Sequence, residues 1–348
     1  MGNAQGNPIR NIDKRTARRE YKDTFKRAIL RYQLDNGIDP SIPRKDPEKR
    51  VLNFGDGEDG SSSSVRVVVR KRPIFEHEID GHEFDVATCL DARNVTIHDT
   101  RMHADMRRML LTNNAFEFDG VFNEWATNDE VYASAARPLV KEAVLGGFAT
   151  ACVYGQTGSG KSFTMTSFYE KAAYDIFKEL DAQYGRFDVL PRVSMCFFEL
   201  QGDTCMDLLN CFHTTQLLTA VDGGVHAVPC VEPTVSCADE MIELIRHALS
   251  IRTTAATGVH DSSSRSHAIL RVFIEQLEQL QGAEEGRERE EEEEGMLGHD
   301  RKGPEGVLTL VDLAGSEQSI DSMYHTADRR KEGAAINSSL MALKECIR

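Results

Sequence analysis

Eight consecutive residues constrain this chain more than any others. Gly155-Gln156-Thr157-Gly158-Ser159-Gly160-Lys161-Ser162 fits G-x-x-x-x-G-K-[ST] at every constrained position. The run follows the apolar, strand-like ATACVY and precedes the helix-like FTMTSFYEKAAYDIF, the context a phosphate-binding loop requires. Glycines let the backbone curl until successive N–H groups point at phosphate oxygens, and the helix N-terminus adds its positive dipole end. Lys161 supplies a charge to the β- and γ-phosphates, and the Ser162 hydroxyl a ligand for Mg²⁺. A chain with this loop must build a strand–loop–helix unit on a sheet, which places it in the α/β class.

Two further segments extend the site. Asp312-Leu313-Ala314-Gly315-Ser316-Glu317 follows the apolar VLTLV. An aspartate at a strand end is placed to hold the water shell of Mg²⁺. A glycine three residues on brings a backbone N–H to the γ-phosphate and permits movement when that phosphate leaves. Ser263-Ser264-Arg265-Ser266-His267 offers hydroxyls for the cation or for water, and a guanidinium for a carboxylate. The guanine-reading N-K-x-D is absent from the chain, which argues against a GTPase.

Elsewhere the hydrophobic pattern alternates between strands and helices. Asp13–Gln33 has helical spacing, with Tyr21, Phe25, Ala28, Ile29 and Tyr32 on one face and basic residues elsewhere. Asn36-Gly37 and the prolines at 40, 43 and 47 stop it. A Gly/Asp/Ser linker covers Gly55–Ser64, and Val65–Arg70 reads as a buried strand. Strands are expected over Phe116–Phe122, Ala149–Tyr154, Arg192–Leu200, Ala268–Leu280 and Gly306–Leu313. Helices are expected over Asp129–Leu145 and Ser162–Tyr184. Between two of the strands, Gly282–Gly306 is a Glu-rich insertion; its self-repelling run Glu288–Glu294 reads as a solvated loop.

Charge and cysteine usage narrow the setting. The net charge is −15, yet residues 1–50 hold 13 Lys/Arg against 7 Asp/Glu, so a basic arm precedes an acidic body. Such an arm either meets an acidic partner or is a solvated helix face. The eight cysteines form no C-x-x-C pair, and several sit in apolar stretches, among them Cys152 and Cys196. Reduced, core-type thiols point to the cytosol. No stretch is long and apolar enough for a membrane span, and the polar N-terminus is not a secretory signal. MGNAQG departs from a myristoylation signal at Gly6.

Taken together and in this order, the motifs resemble the kinesin motor superfamily from Ser64 to Arg348. The resemblance rests on VRVVVRKRP (65–73), FEFDGVFNE (116–124), YGQTGSGKSFTM (154–165), FFELQGDTCMDLLN (197–210), SSRSHAIL (263–270), LTLVDLAGSE (308–317) and EGAAINSSLMALKECIR (332–348). Within it, VRKRP, ATGVHDSSSRSHAIL and a basic helix ahead of the motor look like kinesin-13, the internal-motor microtubule depolymerases. The resemblance implies a P-loop NTPase fold whose central, mostly parallel, twisted sheet is flanked by helices. It implies a neck-like extension over 1–50, a linker over 51–64 and a motor domain over 65–348 that continues beyond Arg348 in the family.

The family's roles carry over by position. Arg70, Arg72 and Pro73 would frame the adenine of ATP, with Phe163 beside it. Gly155, Gln156, Thr157, Gly158, Ser159, Gly160, Lys161 and Ser162 would hold the phosphates. Ser162, Ser264 and Asp312 would serve Mg²⁺. Ser264 and Arg265 belong to switch I; Asp312, Gly315 and Glu317 to switch II. Arg265 and Glu317 would pair to close the site, and Asn337 would support that state. Two positions depart from the pattern. His260 stands where the family has Asn, and Met102-His103-Ala104-Asp105-Met106 keeps only the Asp of the depolymerases' Lys-Val-Asp tip. The implied activity is a microtubule-stimulated ATPase, or alternatively a tubulin-binding module with little or no turnover. Tubulin is the implied partner, with no nucleic acid or membrane span, a dimer in a full-length protein, and a place on cytoplasmic microtubules.

Overall fold

The structure is a computed structural model that describes residues 14–42, 65–103, 108–185, 191–219, 225–256, 265–275 and 305–316. The chain forms two compact units, Met1–Val131 and Tyr132–Arg348.

In the first unit, α1 (Lys14–Glu20) and α2 (Lys22–Asp35) are followed by β1 (Val68–Arg70), α3 (Glu76–Asp80), β2 (Ala87–Cys89), β3 (Asn94–Met102), β4 (Met109–Glu117) and β5 (Gly120–Phe122). The expected single helix over 13–33 is two helices. Tyr21 leaves the helical region at φ −111°, ψ 21°, while its carbonyl accepts the first amide bonds of α2. The break lets α1 follow β3 while α2 reaches β4. The anticipated apolar face is real: Phe25 and Ile29 are buried, and with Tyr21 they pack against Phe84, Val86, Met102, Met109 and Leu111. Strands β2, β3 and β4 form an antiparallel meander.

Two strand expectations are corrected in this unit. Within 65–70 only Val68–Arg70 pairs, parallel to β5, and Val65 and Val67 are exposed. The 116–122 strand is broken after Glu117, because Phe118 and Asp119 turn away to bond Arg93 and Val67. The result is two short strands in two different sheets.

Helix α4 (Asn128–Ala135) spans the boundary between the units. In the second unit α5 (Arg137–Val144), β6 (Phe148–Val153), α6 (Lys161–Tyr184), β7 (Val193–Gln201), β8 (Thr204–Asp207), β9 (His213–Thr219), β10 (Val225–Val228), β11 (Thr234–Val235), α7 (Ala238–Ala256), β12 (His267–Glu275) and β13 (Glu305–Asp312) follow. The anticipated helix over 129–145 is interrupted at Ala136, since Pro138 in the first turn of α5 has no amide to continue the ladder.

The eight-stranded sheet runs β10-β9-β8-β7-β12-β13-β6, with β11 also on β7. The α/β class stands, but strand directions are mixed rather than mostly parallel. Among the described pairs of this sheet only β13 and β6 run parallel. Short connections account for this: Gly202-Asp203 turns β7 straight back into β8, and such a turn can only make antiparallel neighbours. Met195, Phe197, Leu270, Val272, Ile274, Leu308 and Leu310 form the sheet core. Helix α5 packs on β6 and β13, and α6 on β13, α5 and α7. Cys196 and Cys205 are buried, as core thiols should be, but Cys152 on β6 is exposed. The linker at 55–64, the acidic run and residues 276–280 lie outside the described residues.

Candidate functional site: a phosphate loop above two parallel strands

The parallel pairing of β6 and β13 creates the site. Its register sets Asp312 beside Val153, so the aspartate and the loop leaving β6 emerge at the same end of the sheet. Residues 150 apart in sequence then meet: the Ser162 hydroxyl donates to Asp312 Oδ2 at 2.8 Å. Loop geometry explains the glycines. Gly160 caps α6 at φ +93°, and a Cβ at Gly155 would lie 2.6 Å from Ser159 Oγ. Lys161, largely buried, donates its ammonium protons to the carbonyls of Gly155 and Gln156 at 2.8 and 2.9 Å. Ser316 N donates to Gly155 O at 3.2 Å, so the 312–316 segment, Gly315 included, runs along the base of the loop.

Behind the aspartate lies a buried polar cluster that the motifs do not announce. Arg252 of α7 donates from Nε to Glu199 Oε1 at 3.0 Å and from Nη1 to Asp312 Oδ2 at 3.4 Å. Its Nη2 donates to the Ser266 carbonyl at 3.1 Å, and Ser266 Oγ donates to Glu199 Oε1. All three charged side chains are at most 6% exposed. Next to it, Ala314 N donates to His267 Nδ1 at 3.1 Å. Burial, seconded by the Arg252 charge, pushes the His267 pKa down, in keeping with a neutral ring that accepts at Nδ1. Burial and nearby Asp312 raise the Tyr169 phenol far above its ordinary value. Among the described residues, Asp312 Oδ1 and the Tyr169 hydroxyl are buried without a hydrogen-bond partner.

The sequence did hold a signal for Arg252. Met241, Ile245, Ala248 and Arg252 recur at helical spacing, and the first three are fully buried. A guanidinium on an apolar stripe requires a buried counter-charge, here the Glu199 that interrupts the apolar run of β7.

The other expected site residues divide. Gln156, Thr157, Gly158 and Ser159 lie in the loop, and Phe163 is exposed on the first turn of α6. Arg265 sits in the turn entering β12. Ser264, Glu317, Asn337 and His260 lie outside the described residues, as does the Arg265–Glu317 pairing. In the first unit, Arg70 donates to Asn128 Oδ1 and to the Ala126 carbonyl. Arg72, beside Pro73, grips Glu78 with both terminal nitrogens and lies over the Phe75 ring. That grip, with the Phe75 amide, lowers the Glu78 pKa to about 2. His103 bonds Arg108 at the mouth of the β3–β4 hairpin; residues 104–107 lie outside the described residues.

A glycine loop between a strand and a helix, with an aspartate ending the neighbouring parallel strand, defines an α/β protein of the P-loop nucleotide-binding class. Within that class the chain belongs to the kinesin motor family: the kinesin motor domain matches residues 70–348. It is 35% identical over 289 residues to diatom spindle kinesin-1 of Cylindrotheca fusiformis, covering 83% of this chain and 42% of that protein. It is 36% identical to kinesin-like protein KIN-13B of Arabidopsis thaliana, over 82% of this chain and 39% of that protein. It is 34% identical to human kinesin-like protein KIF24, over 82% of this chain and 19% of that one. The chain thus spans less than half the length of these relatives. Among solved structures it resembles a fast kinesin at 26% identity and TM-score 0.63, covering 79% of this chain and 72% of that one. It also resembles KIF14, solved as a dimer with AMP-PNP on a microtubule, at 26% identity and TM-score 0.62, covering 81% and 76%.

Proposed function

We propose that this chain is a kinesin motor domain that binds ATP, hydrolyses it to ADP and phosphate, and couples that cycle to microtubules. The observation that carries the reading is the Ser162–Asp312 bond at the base of the phosphate loop. It joins the loop that grips phosphate to the segment that responds to phosphate loss. The donor set also suits Mg²⁺: a hydroxyl and a carboxylate are hard oxygen ligands, and buried Asp312 Oδ1 has no partner among the described residues. Among those residues no group of three or more His, Cys, Asp or Glu side chains is arranged to hold a metal by itself. That is in keeping with a cation shared with substrate phosphates. When bound, Mg²⁺ would neutralise charge on the β- and γ-phosphates.

The chain's own residues carry the remaining work. Gly155–Gly160 present backbone amides, and Lys161 releases its two carbonyls to meet the phosphates. Ser162 and Asp312, with Ser264, would hold the cation. By the family's pattern Gly315 would sense the γ-phosphate, Arg265 and Glu317 would pair with Asn337 in support, and Arg70, Arg72, Pro73 and Phe163 would be the residues assigned to the base. Similarity to KIN-13B and the basic helices ahead of the motor support a kinesin-13-like role at microtubule ends. A place on cytoplasmic microtubules and a dimer in a full-length protein are further parts of the proposal. Among the described residues no helix is long and apolar enough to cross a membrane.

Phosphate release measured with and without taxol-stabilised microtubules tests the reading. Several-fold stimulation supports it. Tubulin binding without turnover would instead identify the weakly catalytic module that His260 suggests, and a pelleting assay for released tubulin separates depolymerisation from walking.

A further inference from the structure

We infer that Cys196 and Cys230 form an oxidisable thiol pair: glutathione disulfide links them, and the bond staples the segment after β10 to β7. Neither sulfur belongs to the phosphate site or to its motifs, so the inference stands apart from the nucleotide reading.

The strand register gathers the sulfurs on one face. Phe198 opposes Asp207 and Leu200 opposes Cys205, so Cys196, Phe198 and Leu200 of β7 share a face with Cys205 and Asp207 of β8. Residues 225–231 lie against that face. Val231 N donates to Asp207 Oδ2 at 2.7 Å, and Arg271 Nη1 donates to the Val225 carbonyl at 2.7 Å. Ala227 and Cys230 pack against the buried cluster of Cys196, Phe198, Cys205, Phe273 and Val307. Cys196 and Cys205 are buried, whereas Cys230 is half-buried and so is the reachable member of the pair. A hydrogen bond with the Cys196 thiol, together with burial and the nearby Asp207 carboxylate, holds the Cys230 pKa far above the ordinary thiol range. Cys205 is the competing partner for Cys196; burial, with Asp207 and Cys196 nearby, pushes its thiol up to about 11.

Glutathione disulfide balances the step. Cys230 loses its proton and attacks one glutathione sulfur; the glutathione S–S bond breaks, and the leaving thiolate takes up a proton. Cys196 then attacks the Cys230 sulfur of the mixed disulfide, and the second glutathione leaves as a thiol. Two protein thiols are oxidised and one glutathione disulfide is reduced to two thiols. The raised Cys230 pKa leaves little thiolate to attack, so the link forms slowly. It also makes Cys230 a poor leaving group, which slows reversal by monothiols. The pair is therefore a persistent staple rather than a rapid sensor.

The test incubates the chain with glutathione disulfide, denatures it in iodoacetamide and maps the digested peptides by mass spectrometry. A thermal melt compares the oxidised protein with the same sample treated with dithiothreitol. The expected result is a Cys196–Cys230 linked peptide and a melting temperature raised by about 5 °C, which dithiothreitol abolishes. Cys230→Ser should lose both the link and the rise, and Cys205→Ser should keep both. The wild-type peptide map decides the pairing even where a variant fails to fold. A Cys196–Cys205 link, a glutathione that stays on Cys230, or modification confined to the exposed Cys152, Cys211 and Cys237 overturns the inference. A Cys196–Cys230 link that leaves the melt unmoved overturns the staple.

Discussion

The two units differ in whether the polar groups they bury include charged ones. In the first, the polar side chains buried among the described residues are Gln33, Thr88, Thr96, His98 and Thr100. None is a carboxylate, ammonium or guanidinium. They form a seam under the N-terminal helices. Gln33 donates to Thr88, Thr88 meets His98 Nε2, and His98 Nδ1 meets Asn113 Oδ1. Tyr32 meets Thr96, and Arg18 reaches Thr100. The second unit also buries uncharged groups such as Ser134, Thr164, Ser194 and Thr215, but with them the charged Lys161, Asp175, Glu199, Asp207, Arg252 and Asp312. Uncharged seams cost little to desolvate and suit a permanent joint. Buried charges must be matched one by one, and a mismatch is strongly destabilising. A protein accepts that risk where a charged ligand has to be met. The comparison sets an uncharged joint in the first unit against a charged cluster at the proposed nucleotide site in the second.

It also changes the reading of the basic arm. Within the described residues, α1 and α2 are not a free extension, because their apolar face is part of the first unit's core. The exposed cations Arg19, Lys26, Arg27 and Arg31 lie on the opposite side. Any acidic partner would therefore meet a helix already held by its own sheet.

Four experiments can break or sharpen the contrast. The largest effect is expected from Glu199→Ala, which strips Arg252 and Ser266 of their shared acceptor. Unfolding in urea should show a loss of about 3–5 kcal/mol, and a loss below 1 kcal/mol would mean the cluster is not tightly matched. Lys161→Ala should cut ATP turnover roughly 10²- to 10³-fold while moving the melting temperature little; unchanged turnover would remove the loop from the site. In the other unit, Thr88→Val keeps shape but removes the hydroxyl between Gln33 and His98. A loss of about 1–3 kcal/mol with turnover intact is expected, whereas a strong effect on turnover would erase the distinction between joint and site.

The smallest effect concerns Glu78. Its carboxyl should titrate near 2 by NMR, and Arg72→Ala should return it toward the ordinary glutamate range. The sign follows from the depressed folded pKa. The Arg72–Glu78 contribution is present above the unfolded glutamate value and is lost as pH falls from there toward 2. This pair is partly exposed, so the effect on overall stability should be slight.

Local chemistry was legible in the order of residues. The phosphate loop needs glycines at left-handed positions, a lysine and a hydroxyl in immediate succession, and such requirements survive in one dimension. So did the amphipathic face of Tyr21, Phe25 and Ile29, because helical spacing records burial directly. The breaks were harder to read. Tyr21, Ala136 and Phe118-Asp119 sit within continuous apolar patterns, and only packing or an adjacent proline makes the chain turn there. Strand direction was decided by which strands became neighbours: β6 and β13 lie side by side and parallel although 151 residues separate their ends. That neighbourhood alone brings Ser162 to Asp312. The Arg252 cluster belongs wholly to tertiary structure. A helix, three strand ends and two carboxylates converge on one guanidinium, and no spacing along the chain encodes the 3.0 Å between Arg252 and Glu199. The sequence by itself determined the chemistry that touches phosphate, because those groups are consecutive. Only the fold decided what holds that chemistry in place, because buried charges find their partners across the sheet rather than along the chain.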